Sequence, residues 1–225
     1  MTFSVSGYCS ETGMVGTAVT TSSIAVGSRC PWARAGVGAV STQNVTLPSL
    51  GPEILDLLED GMDPEAALNK ALKKNGFSEY RQVTVVDTHG RQAHFSGDRT
   101  LGTHAVATGR DCVAAGNLLT STKVVDAIVD RFEALPGDDL PTRLVESLRA
   151  GIAAGGEEGP VHSAALLVYG ELLWPLVDLR VDWDDEDPVA RLQYLWNAYQ
   201  PQMNDYITRA LNPPAAPSYG VPGDK

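Results

Sequence analysis

The chain has 225 residues, 43% of them hydrophobic, which is enough for one large domain with a continuous core. Its 17 basic residues against 28 acidic ones leave a net charge of −11, which repels a phosphate backbone and an anionic bilayer and argues against nucleic-acid and membrane partners. No apolar run reaches the roughly 18 residues of a spanning helix, and no basic-then-apolar leader opens the chain, so a soluble, cytoplasmic protein is expected.

Thr2–Cys9 reads as a strand, followed by a turn at Ser10-Glu11-Thr12-Gly13 and a second strand over Val15–Thr21. Gly36–Thr42 is small and β-branched, the composition of a strand covered on both faces. Helical spacing then takes over. Gly51-Pro52-Glu53 opens a helix with Pro at its first position, and Asp63-Pro64 opens a second, with Gly61 between them. Strands return at Gln82–Asp87 and, after a His89-Gly90 turn, at Gln92–Ser96; two more are expected at His104–Thr108 and Cys112–Asn117. Helices follow at Thr122–Ala134 and Pro141–Ala154, the latter stopped by Gly155-Gly156. Ser163–Tyr169 and Leu176–Val181 form a last strand pair, and Asp187-Pro188 caps a helix running past Trp196.

Strand blocks separated by helix pairs, without βαβ alternation, fit two antiparallel sheets packed face to face with helices outside. The expected fold is therefore α+β, a four-layer αββα sandwich forming a single domain over residues 1–211. Pro213, Pro214, Pro217 and Pro222 make residues 212–225 a tail too poor in apolar side chains to order itself.

Cys9, Cys30 and Cys112 are odd in number and form no CxxC pair, so reduced thiols in or near a core are expected. His89, His94, His104 and His162 form neither HxxxH nor HExxH, and no metal site or cofactor is expected. The acidic run Asp182–Asp187 lacks the glycine bend of a calcium loop and reads as a solvated turn.

The candidate chemistry begins at Thr2. A small residue after Met normally permits removal of the initiator, leaving Thr2 with a hydroxyl nucleophile and a free α-amine to serve as its base. Asn117, after Gly116 at the end of a predicted strand, can donate a side-chain N–H to an oxyanion, or simply bond a turn. Arg34 can clamp a substrate carboxylate with two bonds or pair at a subunit interface. Ser22, Ser23 and Gln43 fall at strand ends that converge on the same cleft, as substrate contacts or as ordinary strand-end polar groups.

Thr2-Phe3-Ser4, Ala25-Val26-Gly27 and the stretch from Pro31 through Trp32, Arg34 and Gly38 to Gln43 resemble the opening of the family called domain of unknown function 1028. Arg81-Gln82-Val83, Gly116-Asn117-Leu118-Leu119, Ser163–Val168 and Val177–Asp182 continue the likeness in the same order. After Val181 this chain departs from the family, reading Asp182-Trp183-Asp184-Asp185-Glu186-Asp187-Pro188 where many relatives have Asp-Asp-His-Pro-Asp-Pro. The resemblance implies the αββα fold of N-terminal nucleophile (Ntn) hydrolases, with a cation such as Arg34 near the nucleophile.

The expected function is hydrolysis of an amide-type C–N bond in a small-molecule substrate, by a homo-oligomer that needs no cofactor. Thr2 and Asn117 are the catalytic candidates, and Arg34, Ser22, Ser23 and Gln43 the substrate contacts. A catalytically silent binding or scaffold protein of the same fold, or a hydrolase using activated water, are the alternatives.

Overall fold

The computed structural model describes residues 1–220. Among the described residues there are ten strands: β1 (Thr2–Tyr8), β2 (Val15–Thr21), β3 (Pro31–Arg34), β4 (Gly38–Asn44), β5 (Arg81–Asp87), β6 (Gln92–Ser96), β7 (Ala105–Gly109), β8 (Cys112–Asn117), β9 (Ser163–Tyr169) and β10 (Val177–Val181). Six α-helices join them: α1 (Leu50–Glu59), α2 (Pro64–Asn75), α3 (Lys123–Glu133), α4 (Leu140–Ala153), α5 (Pro188–Tyr199) and α6 (Met203–Leu211). They build a six-stranded sheet in the order β10-β9-β2-β1-β8-β7 and a four-stranded sheet in the order β3-β4-β5-β6, with antiparallel neighbours throughout.

The two-residue alternation of the strands decides where each layer goes. On β1, Phe3 and Val5 face α3 and α4 and join a core with Ile128, Phe132, Leu144 and Leu148. Ser4 and Ser6, one step out of phase, face the other sheet and bond Gln43 and Thr17. On the four-stranded sheet Val40, Val83 and Val85 meet Ile54, Leu55 and Leu68 of α1 and α2 in a second core. Helices thus cover the outer face of each sheet, giving the αββα sandwich that the sequence implies. At Gly151 of α4 an added Cβ would lie 2.9 Å from both Ile128 and Phe3, so the absence of a side chain sets how closely this helix lies on β1.

Three helix starts follow directly from local chemistry. Asp63, Asp139 and Asp187 each accept the backbone N–H three residues on, at 3.0, 2.8 and 2.8 Å, with Pro in the first turn where its missing donor costs nothing. Pro52, expected to open α1, is instead its third residue, because the helix begins at Leu50. Two elements were not anticipated. Pro31–Arg34 is a short edge strand, turned into β4 through Gly36 at φ 68°, and α6 follows a 3-10 turn at Gln200–Gln202.

The three cysteines are free and buried. Beyond α6, Pro213–Ala215 forms a 3-10 turn, and Arg209 donates to the Pro217 carbonyl at 3.0 Å with its guanidinium over Tyr219. Residues 221–225 of the expected tail lie outside the described residues. No helix among the described residues is long and apolar enough to cross a membrane.

Candidate functional site

Between the sheets an apolar cluster of Val15, Ala39, Val86 and Val113 adjoins a set of polar side chains, whose orientation can be deduced from one fixed point. The backbone carbonyl of Gly116 can only accept, so the atom of Gln82 that reaches it at 3.1 Å is the amide Nε2. Gln82 Nε2 also donates to Ser96 Oγ at 3.1 Å. Gln82 Oε1 is therefore the acceptor on the other side, taking Gln43 Nε2 at 2.7 Å and Asn117 Nδ2 at 3.1 Å. Gln43 Oε1 in turn accepts from Ser4 Oγ at 2.7 Å. This chain of amides ties β1, β4, β5 and β8 together and leaves Asn117 Oδ1 buried without a donor.

Thr2 lies at one end of this interior. Its two strand neighbours are Thr21 on β2 and Asn117 on β8, both directly opposite in register. Thr2 is only 5% exposed, and its hydroxyl oxygen is 3.0 Å from that of Thr21. Both hydroxyls donate to the carbonyl of Met1, Thr2 at 2.5 Å. With Met1 in place, the Thr2 nitrogen is an amide and carries no basic lone pair.

After Asn117 the backbone turns sharply at Leu118, which takes a left-handed conformation at φ 51°. Both of its peptide groups are held, its N–H by the Leu101 carbonyl and its own carbonyl by the N–H of Glu158. Residues 155–160 thereby lie alongside the end of β8 and bring Glu157 to the site. Glu157 is 6% exposed, and neither carboxylate oxygen has a hydrogen-bond partner. Burial pushes its carboxyl up to about 8, opposed by the Met1 ammonium and the Ser22 amide. A cavity of about 240 Å³ opens here, lined by Glu157, Gly159, Pro160, Val161, Glu186 and Asp187.

The remaining predicted residues are placed as follows. Ser23 Oγ is 3.4 Å from Thr21 Oγ1 and accepts from Arg29 Nη2 at 2.6 Å. Ser22 is half-buried and turns its backbone amide toward Glu157. Gln43 is an interior member of the amide chain, with both side-chain ends occupied. Arg34 is not brought to this group. It pairs with Gly38, at the opposite end of β4 from Gln43, a separation of roughly 16 Å at ~3.3 Å per strand residue. Its guanidinium is taken by Asp56 at 2.7 Å and Glu59 at 2.6 Å. Against the opposing effect of burial, these two carboxylates hold it above its ordinary value.

Thr21, Arg29, Gln82 and Glu157 were not singled out from the sequence. The alternation of Thr17, Val19 and Thr21 places Thr21 on the inner face with Thr2, a signal present in the chain. Cys30 also lies near the N-terminus, but burial raises its thiol to about 12 despite Arg29 and the Met1 ammonium, so it stays protonated and is no competing nucleophile. Among the described residues, no group of three or more His, Cys, Asp and Glu side chains is arranged to hold a metal ion.

A model of a family of unknown function, DUF1028, matches residues 2–192. The crystal structure of protein SPO2555 from Silicibacter pomeroyi, a DUF1028 protein, is 30% identical with a TM-score of 0.82, covering 88% of this chain and 89% of that one. Anbu, an ancestral β-subunit from Yersinia bercovieri, is 10% identical with a TM-score of 0.44, covering 90% and 96% of the two chains. Anbu from Hyphomicrobium sp. strain MC1 is 12% identical with a TM-score of 0.43, covering 92% and 97%. No curated protein matches.

Proposed function

This chain belongs to the DUF1028 family, and on that footing we propose that it is an Ntn-type hydrolase that cleaves an amide-type C–N bond in a small molecule. The observation that supports this most is the placement of Thr2. It is the first residue of a central strand, its hydroxyl shares one acceptor with Thr21, and that acceptor is the carbonyl of Met1. Removing Met1 takes away the acceptor and exposes the α-amine in one step.

In the processed chain Thr2 Oγ1 attacks the substrate carbonyl while the α-amine takes its proton. The C–N bond then breaks, the leaving nitrogen receives that proton, and a threonyl ester remains for water to hydrolyse. Asn117 keeps one Nδ2 hydrogen beyond the one spent on Gln82, and this is the donor offered to the oxyanion. On this reading Ser22 and Ser23, next to Thr21, contact the substrate, and the 240 Å³ cavity beside Glu157 receives it. The acidic lining of that cavity favours a neutral or cationic substrate, and Arg34 takes no part.

Intact mass of the purified chain reads the first requirement, a first residue of Thr2. Turnover of amides, ureides and lactams, followed by mass spectrometry, reads the second. Thr2→Ala should abolish that turnover with the fold retained; full turnover in Thr2→Ala would overturn the mechanism. The burial of Thr2 beneath Met1 favours the catalytically silent reading for any chain that retains Met1. Such a chain is expected to show ligand-dependent thermal stabilisation with no product.

A further inference from the structure

Three buried acceptor atoms near the N-terminus lack a donor: both carboxylate oxygens of Glu157 and Oδ1 of Asn117. Buried acceptors are costly unless bonded, and a carboxylate more so than an amide. An α-ammonium carries three N–H donors. We propose that Glu157 is the positioning residue for the Thr2 α-amine, accepting its N–H groups once Met1 is removed and exchanging a proton with it. This rests on the reading of Thr2 as the first residue of the processed chain.

The placement is specific. A bridge between Leu119 and Glu157, the Glu158 N–H to Leu118 carbonyl bond at 2.9 Å and the Thr120 N–H to Gly156 carbonyl bond at 3.1 Å clip the Glu157 segment to the chain just after Asn117. Asn117 is the register partner of Thr2. On the other side, a Cβ at Gly159 would lie 3.0 Å from Met1 Cε, so the same segment touches the residue that removal would delete. Glu157 thus lies between the end of β8 and the N-terminus, and the charge it already feels is the Met1 ammonium.

The other groups around it do not compete for that role. Arg29 spends its guanidinium on Ser23, Ile24 and Ala25, and Cys30 stays a neutral thiol. Glu186 and Asp187 lie across the cavity and carry the same sign as Glu157. Asp187 is occupied with capping α5. The Ser22 amide faces the carboxylate without closing a hydrogen bond to it and carries no charge.

The chemistry fits a shared proton. Burial, partly offset by the N-terminal charge and the Ser22 amide, holds the Glu157 carboxyl at about 8, close to the ~7.7–8.0 at which an α-amine ordinarily titrates. Brought together as proposed, two bases of similar strength titrate as a pair. When the proton resides on Glu157, the amine lone pair is free to accept the Thr2 hydroxyl proton; when it resides on nitrogen, the ammonium is held in place by the carboxylate.

The test uses the full chain made behind a cleavable leader, so that Thr2 is first, with ¹⁵N-threonine reporting the amine by NMR. Replacing Glu157 with Gln removes the opposite charge and should lower the midpoint of the amine by about one unit or more. Glu157→Asp should recover most of that shift. Superimposable amine titrations in the wild-type and Glu157→Gln chains would overturn the proposal. The same comparison in a Thr2→Ala chain labelled with ¹⁵N-alanine should show the same shift, because that substitution removes the hydroxyl and keeps the amine. The Glu157 pairing therefore stands or falls separately from the nucleophilic role of the hydroxyl.

Discussion

Replacing Gln82 with Met keeps the volume and flexibility of the side chain and deletes its polar atoms. The Gly116 carbonyl, the Gln43 amide and the Asn117 amide each lose the bond they make to Gln82, in an interior where all of these residues are fully buried or nearly so. Ser96 is half-buried and can turn to water. The Gly116 carbonyl keeps its place in the ladder with β7, so two neutral amides are left unsatisfied, and at ~1–3 kcal/mol each they cost at least about 2 kcal/mol. That is a large share of the ~5–15 kcal/mol that holds a domain together. At ~2–4 °C per kcal/mol for a chain of this size, the melting temperature should fall by about 4 °C or more. Urea unfolding gives the free energy directly and scanning calorimetry the temperature. The double variant Gln43→Met with Gln82→Met should lose less than the sum of the singles, since each removes the other's orphaned partner. A Gln82→Met loss below about 1 kcal/mol, or strict additivity in the double variant, would refute the amide chain as described.

Other outcomes follow from features further along the chain. In a chain that retains Met1, Glu157 holds its proton up to about 8 when folded, against an ordinary 4.5, so the folded state binds a proton that the unfolded chain has released. Stability should therefore fall as pH rises from about 5 to 8, and Glu157→Gln should flatten that fall and be the more stable protein at about pH 9; parallel urea midpoints would count against it. Gly151→Val drives a branched side chain into Ile128 and Phe3 and should cost ~2–3 kcal/mol, seen as a lower melting temperature, while the same change at exposed Ala153 should cost far less. Arg34→Met breaks ion pairs to two carboxylates that are mostly exposed, so it should cost under ~1 kcal/mol. It should also leave KM unchanged; a tenfold rise would return the guanidinium to the substrate.

Most of the layer order was legible because alternation and helical spacing are local. Thr2–Tyr8, Val15–Thr21 and Ser163–Tyr169 matched the expected strands within a residue. The edge strand Pro31–Arg34 was hidden because it has only four residues, two of them Pro and Trp, and α6 because Gln200-Pro201 breaks the helical pattern before it. The site was less legible for a different reason. Thr2, Ser23 and Asn117 could be named as polar residues at strand ends, but which of them meet depends on the pairing of β1 with β8, which no local pattern encodes. Arg34 looked like a cleft cation because Asp56 and Glu59, which hold it, are 22 and 25 residues away. In the sequence Glu157 merely follows a glycine stop, and only its position beside the N-terminus gives it chemical meaning.

The register of β1 also sets a timetable. Thr21 is available to Thr2 with the first hairpin, but Asn117 emerges over a hundred residues later, and Glu157 later still. At ~5–20 residues per second, synthesis leaves the first residues without those neighbours for on the order of ten seconds. During that interval Met1 is an open chain end; afterwards its carbonyl is bonded by two hydroxyls and its side chain lies against Gly159. In the mechanism proposed above, trimming of the initiator would compete with closure of the sheet, since a chain that folds first shuts Met1 away.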